Sequence, residues 1–204
     1  LLHSGRYDDC LRILGRTTIL PYEGGWEGRD LHRQAHLLSA ALNIRNKKYE
    51  AALVSAEKAR LWPENLGVGK PFEVDERLEN FVLAVAAKKR GDREKADKHY
   101  ASVCADAAKF RTGWDSVHLI SALALRKKGK EDEAVRLLAD WRSARGEQDP
   151  VFAWAFAKYH GDEQRADGVL TKLRGAPGGV AWELGTGDRN FPLVMAIVSA
   201  CIQE

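Results

Sequence analysis

The chain predicts an all-α fold, a right-handed α-α superhelix of about four helical hairpins with flanking helices, and three observations carry that prediction. Ala, Leu, Glu, Lys and Arg dominate the 204 residues, a composition that favours helix on intrinsic propensity. One short pattern recurs along the chain: a turn residue, a charged helix start, then a small residue five positions after the turn. It reads Gly5-Arg-Tyr-Asp-Asp-Cys10, Lys47-Lys-Tyr-Glu-Ala-Ala52, Gly91-Asp-Arg-Glu-Lys-Ala96, Gly129-Lys-Glu-Asp-Glu-Ala134 and Gly161-Asp-Glu-Gln-Arg-Ala166. A larger side chain follows four residues later as Leu14, Tyr100, Leu138 or Leu170, with Ala56 breaking the rule in the second copy.

Each part of the pattern has a physical reason. Glycine adopts the left-handed conformation that ends the first helix of a hairpin. An acidic residue next to it sits at the positive end of the second helix. The Cys or Ala is small because two helices cross closely there. Twelve positions earlier a second small residue recurs as Ala40, Ala84 and Ala122, replaced by Trp154 in the last copy.

Taken in order, residues 1–15 hold half a hairpin, a helix from about Arg6 to Gly15 without its partner. Hairpins follow over 28–61, 73–110, 113–145 and 149–174. The stretch Gly175-Ala-Pro-Gly-Gly179 breaks the pattern as a linker, and a terminal helix spans 191–203. The whole of 1–204 reads as a single repeat domain. It opens on Leu1-Leu2-His3, which reads as a piece of a longer protein.

Composition narrows the function. A net charge of +3 is too mild to argue for nucleic acid, which needs a concentrated basic face. The apolar run Val194–Ile202 is too short to span a bilayer. Cys10, Cys104 and Cys201 are far apart and lack metal-ligand spacing, so reduced thiols are expected. The compartment stays open between cytoplasm, slightly favoured, and periplasm; the oligomeric state is open as well.

The recurring pattern resembles the tetratricopeptide repeat over most of the chain. The copies are 42, 44, 38 and 32 residues apart, against about 34 in that family. A second block is similar to one in large bacterial tetratricopeptide proteins of unknown function. It comprises Pro21-Tyr-Glu-Gly-Gly-Trp-Glu-Gly-Arg29, Arg33-Gln-Ala-His36 and Trp62-Pro-Glu-Asn-Leu-Gly-Val-Gly-Lys-Pro71. In those proteins the repeats follow a β-rich N-terminal region likened to carbohydrate-active enzymes. The resemblance implies a C-terminal helical region of a multidomain protein and no catalytic residue within it.

Candidate chemistry is sparse, and no catalytic residue, cofactor or metal is expected. Gly67-Val-Gly-Lys70 lacks the spacing of a phosphate loop, and Pro71 follows the lysine. His32 and His36 have the spacing of two zinc ligands on a helix, but Arg33 stands where a metalloprotease needs Glu. Glu23, Glu27 and Asp30 cluster around Trp26 without showing the defined separation a glycosidase requires. Trp26, Trp62, Asn65, Gly67 and Gly69 are read as structural-loop residues, a clasp formed by Pro21–Gly28 and Trp62–Pro71, the two stretches that interrupt the pattern of helix pairs. Two rows remain for binding. Arg45, Lys88, Lys89, Arg126, Lys127 and Lys158 end successive first helices and form a basic rim, or simply complement the helix dipoles. Leu37, Phe81, Val85, Leu119 and Leu123, together with Ala41, form an apolar row along the groove. The family's peptide-carboxylate clamp needs polar residues there, which makes such a clamp improbable. The apolar row asks instead for cover by a partner helix, a neighbouring domain or the loops themselves.

The expected function is therefore a non-catalytic scaffold that binds protein, either another domain of its parent or a separate partner. The alternative is an accessory region of a bacterial glycan-active enzyme, with Trp26 and Trp62 stacking on sugar.

Overall fold

The computed structural model describes residues 1–22, 25–111, 113–175 and 186–202. Glu23, the linker residues 176–179 and position 203 of the expected terminal helix lie outside them. Among the described residues all regular structure is helical. After a 3-10 turn at Leu2–Ser4 come α1 (Tyr7–Leu14), α2 (Glu27–Arg45) and α3 (Tyr49–Ala59). A second 3-10 turn, Glu64–Leu66, precedes α4 (Arg77–Arg90), α5 (Arg93–Lys109) and α6 (Val117–Lys127). Last come α7 (Glu131–Arg145), α8 (Pro150–His160), α9 (Glu163–Gly175) and α10 (Phe191–Cys201).

The recurring pattern has one structural meaning throughout. Gly5, Lys47, Gly91, Gly129 and Gly161 all have positive φ, from 59° to 96°. Lys47 alone carries a Cβ into that region, at a cost of about 1 kcal/mol. Asp92 and Asp162, just after the turn glycine, cap α5 and α9 by accepting from the Lys95 and Arg165 amides at 3.1 and 2.9 Å. Asp149 does the same for α8 through the Phe152 amide, with Pro150 at the first helical position. Cys10, Ala52, Ala96, Ala134 and Ala166 are all buried.

Two helices start later than their hairpin ranges. The chain reaches helix only at Arg77 because Asp75 accepts from the Arg77 amide at 3.1 Å and from its guanidinium. Asp115 likewise accepts from the Val117 amide at 3.1 Å and sets the start of α6.

The chain divides into two compact units, residues 1–99 with 196–204 and residues 100–195, the divisions falling inside α5 and α10. In the first unit α1 packs on α2, α2 on α3 and α4, and α3 on α4. In the second, α6 packs on α7 and α8, α7 on α8, and α8 on α9. Its centre is aromatic: Trp141 meets Phe152 edge-on with centroids 5.4 Å apart, and Trp154 meets Phe191 at 5.1 Å. Asp188 closes this unit by accepting from the Ser116 amide at 2.7 Å and the Asn190 amide at 2.9 Å.

Candidate functional site

The two interrupting stretches meet in the first unit. Asn65 donates its side-chain amide to the Leu14 and Thr17 carbonyls at 2.9 and 2.7 Å, and its own carbonyl accepts from the Ile19 amide at 2.8 Å. Leu66 is buried beside Gly28 at the start of α2. Gly67 turns with φ 75°, and a Cβ there would stand 2.7 Å from the Ile19 carbonyl oxygen. Trp62 and Trp26 meet at near right angles with centroids 5.8 Å apart, and the Arg29 guanidinium lies 4.3 Å from the Trp62 ring centre.

The contrast between Gly67 and Gly69 gives a sharp expectation. Gly67→Ala should cost about 2 kcal/mol, because it meets both an unfavourable φ and a backbone oxygen. Gly69→Ala meets open space at an ordinary φ and should be neutral or slightly stabilising. Urea midpoints of the two variants check the pair; equal midpoints would remove Gly67 from the clasp.

Next to the clasp lies a part-buried charged network. Arg33 forks onto Glu79 at 2.5 and 2.9 Å, Arg77 holds Asp75 at 2.7 Å, and Arg60 holds Glu76 at 2.7 Å. Lys70 also reaches Glu76, at 3.5 Å, and α4 begins only at Arg77, so Gly67–Lys70 does not lead into a helix as a phosphate loop would. Asn80 links the network to α5 through His99 Nδ1 at 2.9 Å.

His32 and His36 stack edge-on at 4.6 Å and are 9% and 8% exposed. Burial first, then the Arg29 charge, lowers His32 to about 4. Burial, then His32, Lys58 and Arg29, lowers His36 to about 4. Both are neutral at ordinary pH. Among the described residues no group of three His, Cys, Asp or Glu is placed to hold a metal ion. Burial raises the thiols of Cys10, Cys104 and Cys201, so none is poised as a nucleophile.

The residues expected to bind a partner fare differently. Leu37, Phe81, Val85, Leu119 and Leu123 are all buried within the chain, and so is Ala41. Those side chains are core, covered within the chain itself. In the basic rim, Arg45, Lys88, Lys89 and Lys127 are exposed. Arg126 instead donates to the Tyr159 carbonyl at 2.6 Å and lies over that ring, and Lys158 pairs with Glu163 at 2.6 Å.

Large apolar side chains are exposed around the clasp, and also at Leu1, Ile13, Leu31, Leu42, Val54 and Val135. Tyr22 and Trp26 on the first stretch, and Leu20, Leu61 and Phe72 immediately flanking the two stretches, are exposed, Phe72 completely. Tyr22 donates to Glu27 at 2.7 Å. Sequence reading picked out Trp26 and missed Leu20, Leu61 and Phe72; apolar residues flanking Gly- and Pro-rich stretches were the available signal. Among the described residues no helix is long and apolar enough to cross a membrane. Compared with protein-family models, curated proteins and solved structures, the chain matches none.

Proposed function

We propose that the chain is a non-catalytic scaffold of tetratricopeptide-like hairpins that binds protein through its clasp. The observation that carries this reading is the set of exposed apolar side chains, Leu20, Tyr22, Trp26, Leu61 and Phe72, on a backbone pinned by Asn65 and Gly67. Large apolar groups displayed on an ordered surface mark interaction sites, and pinned loops lose little entropy on binding. The partner is another domain of a parent protein or a separate protein. The exposed Arg45, Lys88 and Lys89 of the same unit favour one with acidic flanks.

Half-exposed Trp26 and exposed Tyr22 also favour a second reading, a sugar platform of a glycan-active enzyme. A photocrosslinking residue at position 72, with a control at exposed Val135 in the other unit, separates the two. The scaffold predicts a discrete protein adduct at position 72 that Trp26→Asp and Leu61→Asp remove, with none at 135. A chain that gives no adduct but is retained by immobilised glycans, and released by Trp26→Ala, establishes the sugar reading instead.

A further inference from the structure

Arg29 stands apart from the other buried and partly buried arginines of the first unit. It is 2% exposed, yet among the described residues no carboxylate forms an ion pair with it, whereas Arg33, Arg60 and Arg77 each hold one. Glu79, Asp30 and Glu76 act on its charge only from a distance. Glu79 and Glu76 are already bound by Arg33 and Arg60.

The guanidinium cannot neutralise itself by giving up a proton. One of its terminal nitrogens, Nη2, donates to the Ala59 carbonyl at 2.9 Å, but the buried Nε–H has no acceptor. Two neighbours share that lack. Trp62 Nε1, on the ring beneath Arg29, and His32 Nδ1, one helical turn along α2, are both buried without a hydrogen-bond partner. A guanidinium and an indole only donate, and a neutral imidazole can donate from Nδ1 in one tautomer. The cluster thus combines an unpaired buried cation with up to three unspent N–H groups. Buried charge of that kind calls for a counter-ion.

The second unit also has orphaned buried atoms, Ser116 Oγ, His118 Nε2 and Trp141 Nε1. None of them adjoins a buried arginine left without a carboxylate, and a serine hydroxyl can accept as well as donate. Those groups need only a neutral partner.

We infer that the cluster of Arg29, His32 and Trp62 holds a small oxyanion, a phosphate or a carboxylate, whose oxygens accept from Arg29 Nε, Trp62 Nε1 and His32 Nδ1. Entry is from the side of Trp62, which is half-buried and edged by the exposed Trp26. The occupied site would tie α2 to the clasp that carries the exposed apolar residues.

Thermal unfolding of the full chain, with inorganic phosphate replacing chloride at constant ionic strength and neutral pH, tests this. A ligand that binds only the folded form raises the midpoint along a saturating curve. The wild type and Trp141→Phe should both rise by several degrees and level off at millimolar phosphate. Trp62→Phe keeps a ring under Arg29 but removes the N–H, and should show no saturating rise; Arg29→Met should be flat as well. If Arg29→Met does not fold, Trp62→Phe decides. A flat wild-type curve overturns the proposal, leaving water as the partner of these groups. So does an unsaturating rise common to every variant, which is the general effect of a surface-excluded salt.

Discussion

Replacing Glu79 by alanine should destabilise the first unit by about 3–5 kcal/mol, the cost of leaving a buried cation without its partner. Glu79 is 1% exposed and accepts two hydrogen bonds from Arg33. The variant removes both and strands the guanidinium next to the clasp. Glu79→Gln keeps an acceptor but not the charge, so it should fall between wild type and alanine. The double variant Arg33→Met/Glu79→Met removes both charges together. It should be clearly more stable than Glu79→Ala, because a paired apolar replacement carries no stranded ion. Urea unfolding with an unchanged slope is the measurement. A Glu79→Ala midpoint within error of wild type would show that water reaches Arg33 freely.

The helices were legible because their ends are written locally. A left-handed turn residue and a small crossing residue lie within six consecutive positions, joined by a capping aspartate at α5 and α9, so each hairpin announces itself without knowledge of the rest. Lys47 shows the strength of the context, since a lysine takes the glycine conformation when its neighbours require it. The starts of α4 and α6 were less legible. There the side chains of Asp75 and Asp115 bind the backbone two residues on and delay the helix. Asp188 was invisible as a cap because its partner Ser116 is 72 positions away.

Which apolar faces stay open was harder to read for a related reason. Leu37, Phe81 and Leu119 have the apolar character of a groove row, but a helix cannot show locally whether its face is already covered. In the first unit α2 packs on both α3 and α4, and a residue such as Leu37 is left without any exposed surface. Gly67 was legible as a special position because Gly and Pro within one short stretch signal special backbone, whereas Gly69 lies in open space and Trp26 is half-exposed. Arginine and glutamate carry no such signal. Nothing local to Arg33 or Glu79 shows the contact, 46 residues long, that brings them together.

Acidification should weaken the same region well before its carboxylates titrate. His32 and His36 each have a folded-state pKa near 4 against an ordinary 6.5, because burial penalises the imidazolium and Arg29 and Lys58 repel it. The unfolded chain therefore binds protons that the folded chain refuses. Their contribution is complete above about pH 6.5, falls as the pH drops toward about 4, and changes no further below that. At about pH 5 the loss is roughly 2 kcal/mol per histidine, a size that matters against ordinary domain stability. Asp75 acts in a separate window. Burial pushes its carboxyl up, but the Arg77 guanidinium outweighs that and holds it below the usual 3.8, so its contribution disappears only under stronger acid. Urea midpoints from about pH 7 to about pH 5 should therefore fall steeply in the wild type, and His36→Leu should roughly halve the slope whatever it does to absolute stability. An unchanged slope in that variant would mean that His36 is hydrated and titrates normally. The protonated pair would also set two new cations beside Arg29 and Trp62, so the loss of stability should begin at the clasp and be seen first as faster amide exchange in residues 62–67.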